Sequence, residues 1–297
     1  MGRWMNDLLN MFDDLERQST PKTRDTIVRA PFAYPGSKSK SIDKILPHLP
    51  YTSRYVEPFG GSAAILLARH KSSLEVFNDR YAGVVSFYIC IRSKAKLDSL
   101  IEWIENTIHS REDFVWCKST WKDIEDDVER AARWYYMTMY SFGRLGRNFG
   151  RATSSKAGLV SIRDKLKLFP DLHQRFKNVQ VENQDWYQCM VDYDHEDTVF
   201  YIDPPYVDAD SGIYTNKMSK DDHRRLLEVI FSLKGFCAVS GYSNPLYDSK
   251  DWDEKFEWSA FVSIKSMAYA DGNYKENLEG QETRGHNTEV LWIKESR

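Results

Sequence analysis

Two consecutive strand–turn–helix units constrain the fold of this chain most strongly. The first unit is SRYVEPFGG over residues 53–61, followed by the helical segment SAAILLARH with Ser62 as the expected N-cap. The second unit is LEVFND over residues 74–79, followed by the helical segment AGVVSFYICIR over 82–92. Strands that alternate with helices form a parallel sheet whose two faces are covered by helices. The sequence therefore predicts an α/β fold.

A helical region interrupts this alternation. Residues 96–142 carry helical patterns without strand signals, which predicts an inserted, mainly helical subdomain over 94–177. A further helix is expected at 221–233. The remaining strands are expected at VQVENQDW, TVFYID, FCAVSGY, FEWSAFVSI and TEVLWIK, that is at 179–186, 198–203, 236–242, 256–264 and 288–294. The last two runs predict a terminal hairpin around a polar loop, 265–287.

The N-terminal segment has a different pattern. Residues 1–18 place apolar side chains at three- and four-residue steps, which predicts an amphipathic helix, and a polar linker extends to residue 26. Two interpretations stay open for the helix: packing on the body of the protein, or contact with another chain. We expect a monomer or a weak homodimer formed through this helix.

Composition excludes several classes of protein. The 297 residues carry a net charge of −3, and the four cysteines show no CxxC spacing, so neither a structural metal nor a disulfide framework is expected. The absence of an apolar run of about 18 residues argues against a membrane span and favours a cytoplasmic protein. Charge is uneven, however, because residues 144–167 hold seven basic side chains and one acid. This basic stretch predicts contact with a polyanion.

The glycine-containing corner EPFGGSA follows the first predicted strand. Such a corner lets the backbone approach a ligand closely, and an acid about 20 residues further on can hold ribose hydroxyls. Asp79 lies at this spacing from Gly60. Since the chain has neither GxGxxG nor a P-loop, the pair predicts a nucleoside-cofactor site rather than a dinucleotide or NTP site.

The strand TVFYID runs directly into Pro-Pro-Tyr. Asp203 lies at a strand carboxyl end, where ligands of open α/β sheets bind. Proline fixes φ, so the carbonyl of Pro204 has a defined direction beside the Asp203 carboxylate. Two aimed acceptors next to the flat ring of Tyr206 suit an exocyclic amine on a planar ring.

Four segments together resemble the Dam-type adenine-N6 DNA methyltransferases, of the phage and bacterial class with the Gly-rich motif before DPPY. The segments are AYPGSK, EPFGGSAAILL, VFND and DPPY, and the resemblance covers about residue 31 to the end. It implies a Rossmann-like sheet with a reversed terminal hairpin, with a catalytic domain over 27–93 and 178–297. It also implies S-adenosylmethionine as methyl donor, S-adenosylhomocysteine as product, no metal, and double-stranded DNA as substrate. The insertion 94–177 corresponds to the target-recognition region.

The resemblance also assigns roles to residues. Cofactor contacts are expected from Tyr34, Lys38, Glu57, Phe59, Gly61, Asp79, Asp185 and Trp186, with Asp79 on the ribose and Asp185 on the adenine amine. The target adenine is expected against Asp203, Pro204, Pro205 and Tyr206. The basic stretch is expected to grip DNA through Arg144, Arg147, Arg151, Lys156 and Arg163.

Two departures from the family pattern are visible. Ala63 stands where the family has a third glycine, and the hairpin of GATC-reading members is not recognisable in SFGRLGRNFGRATSSKAG. The expected reaction is direct methyl transfer to N6 of a flipped-out adenine, in a bacterial cell or encoded by a phage, alone or beside a restriction enzyme. Two alternatives stay open. One is the same pocket acting on RNA adenine or another amino group; the other is a non-catalytic DNA-binding relative.

Overall fold

A computed structural model describes residues 28–32, 34, 36–144, 146–150, 162–207, 218–263 and 284–297, without the side chains of 260–263 and 284–287. The predicted N-terminal helix, Arg151 and Lys156 lie outside the described residues. So does the predicted polar loop up to residue 283. Its last four residues, 284–287, belong to a strand, so the boundary of the predicted loop was wrong.

A seven-stranded sheet with the strand order β3-β2-β1-β4-β5-β7-β6 forms the centre of the molecule. Its strands are β1 Arg54–Glu57, β2 Leu74–Asn78, β3 Gln180–Glu182, β4 Thr198–Ile202, β5 Phe236–Tyr242, β6 Glu254–Ser263 and β7 Arg284–Lys294. Strands β1 to β5 pair in parallel, whereas β7 is antiparallel to both β5 and β6. The predicted α/β fold with a reversed terminal hairpin is confirmed.

One helix precedes β1, and the others lie in connections between the strands. Their bounds are α1 Ile42–Ile45, α2 Ala64–Ala68, α3 Ala82–Arg92, α4 Lys94–Glu105, α5 Arg111–Thr120, α6 Asp127–Met139, α7 Ile162–Leu166, α8 Phe169–Phe176, α9 Trp186–Asp192, α10 Lys220–Ser232 and α11 Pro245–Asp248. Ser62 was wrongly predicted as an N-cap. That position belongs to Ala63, whose φ of 55° is left-handed. None of the helices in the described ranges is long and apolar enough to cross a membrane.

Two hydrophobic cores lie on opposite faces of the sheet. Successive residues of β1 alternate between them, because Tyr55 packs into the first core and Val56 into the second. The first core contains aromatic side chains of α3, α6 and α8, including Phe87, Trp134 and Phe176. The second core contains side chains of α9, α10 and the hairpin, including Trp186, Leu226, Ile230 and Trp292.

The insertion 94–177 is helical in its described parts and shares the first core. Helix α6 packs on α3 so closely that a Cβ on Gly83 would lie 2.3 Å from the Trp134 ring. Trp134 also meets the Phe32 ring edge-on, with ring centroids 5.0 Å apart. The insertion therefore contributes to the same core as the sheet, and its separate recognition role stays a prediction.

Candidate active site

A cavity of about 230 Å³ lies at the carboxyl edge of the parallel strands. Its walls include residues from the segments that follow β1, β2, β3 and β4, four strands that are neighbours in the sheet. Eleven of the predicted cofactor and target-base residues line it: Tyr34, Lys38, Glu57, Phe59, Gly61, Asp79, Asp185, Trp186, Asp203, Pro204 and Pro205. Tyr206 is not among the lining residues, but its hydroxyl accepts a hydrogen bond at 2.8 Å from Lys38, which lines the cavity. The sheet topology thus brings segments far apart in sequence to one cavity.

The glycine corner after β1 approaches the cavity with its backbone. Gly61 has a φ of 49°, and a Cβ there would lie 3.1 Å from the ring of Tyr34. Asp79 anchors the corner, because one carboxylate oxygen accepts from the Gly61 N–H at 2.8 Å and the other from the Tyr81 N–H at 2.7 Å. Burial raises the pKa of Asp79, and these two hydrogen bonds oppose the rise. A ribose contact by Asp79 stays a prediction.

Asn78 joins this corner to the one that follows β3. Its amide donates to the Pro58 carbonyl at 2.8 Å, and its Oδ1 accepts from the Gln184 N–H at 2.8 Å. The side-chain oxygen Oε1 of Gln184 is buried and accepts no hydrogen bond from the residues that the structure describes. An unpaired buried acceptor in a cavity wall fits a ligand that brings a donor, such as an adenine amine.

Asp185 and Trp186 lie where α9 begins. Asp185 caps the helix by accepting from the Tyr187 N–H at 3.0 Å, and Arg80 lies 3.3 Å from its other oxygen. The Trp186 ring is nearly parallel to that of Phe59, at 26° and 6.2 Å between centroids. This part of the cavity offers acceptors beside flat rings, which suits a purine.

The Asp-Pro-Pro-Tyr corner is occupied by the ammonium of Lys38. Lys38 Nζ donates to both oxygens of Asp203, at 2.6 and 2.7 Å, and to the Tyr206 hydroxyl at 2.8 Å. Ser240 adds a hydrogen bond to Asp203 Oδ1 at 2.9 Å. Lys38 therefore pairs with Asp203, the carboxylate that is predicted to bind the target base. The role of Lys38 as a cofactor contact stays a prediction.

Burial dominates the electrostatics of two acids that line the cavity, Asp203 and Glu57. It raises the pKa of Asp203, although the Lys38 ammonium and the Ser240 hydroxyl oppose the rise. It raises the pKa of Glu57 to about 8, and the Tyr55 hydroxyl donates to Glu57 Oε1 at 2.7 Å. At neutral pH Glu57 is thus mainly a neutral acid, whereas Asp203 lies beside a cation.

The predicted DNA-binding residues fall in different places. Arg144 lines the cavity, whereas Arg147 lies beside Arg111 and Lys118 around a separate groove. Arg163 donates to the carbonyls of Glu105 and Thr107, at 3.0 and 2.9 Å. Their DNA contacts stay predictions, and the structure gives Arg163 a role in holding the end of α4.

Two polar residues near Asp203 and Tyr206, Ser240 and Glu289, were not predicted from the sequence. Ser240 lies beside Asp203 because β4 and β5 pair with Ile202 opposite Val239. Glu289 on β7 accepts from the Tyr206 hydroxyl at 3.4 Å and from Ser41 at 3.0 Å. Ser240 could have been suspected, because it is a polar residue toward the carboxyl end of β5, the strand next to β4. Glu289 gave no such signal, because its contacts depend on the reversed hairpin.

No group of three or more metal-ligating acids, histidines or cysteines occurs within the described part of the chain.

Comparison with known proteins gives two matches. A family model described as D12 class N6 adenine-specific DNA methyltransferase matches residues 34–270. A DNA N-6-adenine-methyltransferase of Escherichia phage P1 is 26% identical over 186 residues, which cover 60% of this chain and 24% of the phage protein. This chain thus spans about a quarter of the length of that relative. Since the family model covers well over half of the sequence, the chain belongs to the D12 class of N6 adenine-specific DNA methyltransferases.

Proposed function

We propose that this protein transfers a methyl group from S-adenosylmethionine to N6 of adenine in double-stranded DNA. The observation that carries the proposal is the Asp203 carboxylate, which lies in the same cavity as the glycine corner and already accepts hydrogen bonds from an ammonium group. Family membership supports the same reaction. The phage P1 relative, named as a DNA N-6-adenine-methyltransferase, supports it further.

The Asp203 corner suits an amine that is both bound and activated. The adenine amine is a poor nucleophile because its lone pair is delocalised into the ring. Asp203 would accept one of its hydrogens, in place of a hydrogen bond that Lys38 now donates, and the Pro204 carbonyl would accept the other. Hydrogen bonds of this kind favour a pyramidal nitrogen. Fixing two reactants in line is worth roughly 7–11 kcal/mol of the barrier.

The residues at the opposite part of the cavity fit the cofactor. Trp186 and Phe59 would flank its adenine, and the unpaired Gln184 Oε1 and the Asp185 carboxylate would accept from the adenine amine. Asp79 would hold the ribose hydroxyls. When bound, S-adenosylmethionine supplies a methyl group whose bond to sulfur breaks as the bond to N6 forms, leaving S-adenosylhomocysteine.

Asp203 also has a role after the new bond forms, because the nitrogen must lose a proton. Its carboxylate is the acceptor already at the amine, and burial raises its pKa toward the range in which it can carry that proton. Tyr206 offers a flat wall for the base, and its ring lies 4.3 Å from that of Tyr242. Stacking of about 1–3 kcal/mol per base offsets part of the cost of flipping, which is roughly a few kcal/mol.

Transfer of labelled methyl groups tests the proposal. The purified protein is incubated with labelled S-adenosylmethionine and with unmethylated duplex DNA, RNA or protein, and the labelled product is identified by mass spectrometry. We expect label on N6 of adenine in DNA alone. Label found on RNA, on cytosine or on protein, or no labelled product at all, would refute the proposed function.

Asp203→Asn is the informative variant, because it keeps the shape of the side chain and removes its charge. We expect at least a hundredfold loss of transfer, with DNA affinity changed less than about threefold. The matched control is Asp98→Asn on α4, an exposed acid paired only with Lys94 in the described structure. Equal losses in both variants would mean that Asp203 has no special role.

A further inference from the structure

Arg144 is a cation in the cavity wall without an acidic partner among the described residues. The other cations that line the cavity are engaged: Lys38 with Asp203, Arg80 with Asp185, and Arg225 against the ring of Tyr187, 4.4 Å from its centroid. Within the described ranges, the guanidinium of Arg144 makes neither an ion pair nor a hydrogen bond. Burial lowers its pKa, in keeping with a partly desolvated charge. A desolvated cation without a counter-charge indicates a site for an anion.

The loop that carries Arg144 holds it in an unusual backbone conformation. Gly143 and Arg144 both have left-handed φ angles, 65° and 63°, and such a value is unfavourable for arginine. Hydrogen bonds on either side fix the loop: Phe142 N–H donates to the Asn148 carbonyl at 2.7 Å, and Gly150 N–H to the Tyr140 carbonyl at 2.7 Å. Backbone strain that surrounding contacts maintain is concentrated at functional sites.

The position of Arg144 relative to the sheet separates it from the purine end of the cavity. Arg144 lines the cavity together with Trp134, Met137 and Thr138 of α6, which belongs to the first face of the sheet. Trp186 belongs to the second face. The cavity thus passes over the carboxyl edge of the sheet from one face to the other, with the stacking rings at one end and Arg144 at the other.

We infer that Arg144 forms an anion subsite that binds the α-carboxylate of the cofactor's amino-acid portion. This inference rests on the proposed use of S-adenosylmethionine. A ligand whose purine lies against Trp186 and whose ribose lies at Asp79 extends its amino-acid portion past Gly61 toward the first face. Arg144 meets the carboxylate there with a planar donor group, the geometry that guanidinium groups share with carboxylates.

The remaining charges of the cavity favour this location. Glu57, the buried acid next to the glycine corner, has a raised pKa and does not repel a carboxylate at neutral pH. A phosphate of the DNA backbone is the other source of an anion. A phosphate would have to enter a cavity whose wall here is formed by Trp134, Met137 and the ring of Tyr34. Cations outside the cavity are more accessible to a phosphate of the DNA backbone than Arg144 is.

Calorimetry on the free protein, without DNA, tests the subsite. Two ligands are compared: S-adenosylhomocysteine, and its decarboxylated analogue in which hydrogen replaces the α-carboxylate. Arg144→Gln keeps the polarity of the side chain and removes the charge. We expect it to weaken S-adenosylhomocysteine binding about tenfold or more and to leave the analogue within about twofold. Arg147→Gln, a charge change in the same loop outside the cavity, should alter neither affinity.

The possible outcomes separate the subsite from the proposed function. If the unaltered protein binds neither ligand, the proposed cofactor is wrong. If it binds S-adenosylhomocysteine and Arg144→Gln weakens both ligands equally or neither, the subsite is refuted while the function stands. A loss of DNA affinity with unchanged cofactor affinity would assign Arg144 to a phosphate and refute the carboxylate subsite. Thermal unfolding of each variant excludes a folding defect as the cause.

Discussion

At the scale of single residues, Lys38 is the centre of the charge arrangement around the predicted base pocket. Its buried ammonium lies against Asp203 and the Tyr206 hydroxyl, and that hydroxyl also donates to Glu289. The pKa of Asp203 therefore depends on opposing neighbours: Lys38 and Ser240 lower it, and Glu289 raises it. The proposed methyl transfer needs an ionised Asp203 that can accept a hydrogen bond from the amine. Removing a neighbour that lowers the pKa of Asp203 should therefore move the acid limb of the pH–rate profile to higher pH, and removing a neighbour that raises it should move the limb to lower pH.

Substitution of the three neighbours should move that limb in defined directions. Lys38→Met removes the cation, so the pKa of Asp203 rises and the limb of kcat/KM moves to higher pH, with about a tenfold or larger loss at neutral pH. Ser240→Ala should give a smaller shift in the same direction. Glu289→Gln removes a negative charge, so the limb should move to lower pH. The measurement is kcat/KM against pH for all three variants.

If the acid limb moved in the same direction in all three variants, this account would be contradicted. A general loosening of the packing would produce such a common shift, whereas the charges of the neighbours predict shifts in opposite directions. Lys38→Arg is the conservative control. It keeps the charge but presents a larger planar group, so the limb should stay in place while the maximal rate falls. Cofactor affinity, measured separately, shows whether Lys38 also contacts the cofactor as its motif predicts.

At the scale of elements, the contact between α3 and α6 joins the insertion to the sheet. Gly83 in the first turn of α3 lies against the Trp134 ring of α6. Glycine to alanine in an exposed helix usually stabilises it by up to about 1 kcal/mol. Here the added Cβ would lie 2.3 Å from the ring, so overpacking should dominate. We expect Gly83→Ala to lower the free energy of unfolding by about 1–3 kcal/mol in urea titrations.

A double variant tests whether the contact itself is the cause. Trp134→Phe replaces the indole with a smaller ring and makes room, so Gly83→Ala should cost less in that background than in the unaltered protein. Fluorescence and circular dichroism should report a single transition, since the two helices share one core. A stabilised Gly83→Ala variant would contradict the close packing of the two helices, and two separate transitions would indicate that the insertion folds independently.

Most strands and the long helices could be predicted from the sequence because their patterns are local. The strand expected over 179–186 is shorter in the structure, because β3 ends at Glu182 and helix α9 begins at Trp186. β4 is apolar or β-branched throughout and buried at every position, as parallel strands covered on both faces are. Helix α5 lies inside the region 96–142 that was expected to be helical, but its bounds were not predicted, because Arg111–Thr120 has little apolar periodicity and exposes Val115 and Trp116. The start of α2 was misplaced, because glycine and alanine in left-handed conformations occupy the turn where a capping serine was expected.

At the scale of the whole molecule, the site joins residues that are far apart in sequence. Lys38 and Asp203 are separated by 165 positions, and Ser41 and Glu289 by 248. Motifs identified the strand ends, and the carboxyl-edge rule predicted that these ends would converge. Neither the motifs nor the carboxyl-edge rule predicts which pairs of side chains are in contact. That pairing follows from the strand order and from the loop before β1, so the partner of Lys38 required the three-dimensional structure.

Charge distribution provides the last prediction at this scale. The net charge of −3 does not attract DNA, so binding should depend on the cations of the basic stretch. Arg147 lies with Arg111 and Lys118 around a groove, whereas Arg163 is engaged by two carbonyls of α4 and its following turn. Replacing Arg147, Arg151 and Lys156 with Gln should reduce the slope of log K against log salt by about 0.9 for each phosphate that the protein no longer neutralises.

Arg163→Gln is the matched control for that experiment. It removes a charge from the same stretch, but we expect lower thermal stability with an unchanged salt slope, because its guanidinium holds the carbonyls of Glu105 and Thr107. Fluorescence anisotropy with a labelled duplex at several salt concentrations gives both slopes. If Arg163→Gln lowers the slope and the triple variant does not, the surface that grips DNA lies elsewhere on the molecule. If both lower it in proportion to the charge removed, binding depends on total charge and the groove beside Arg147 has no special role.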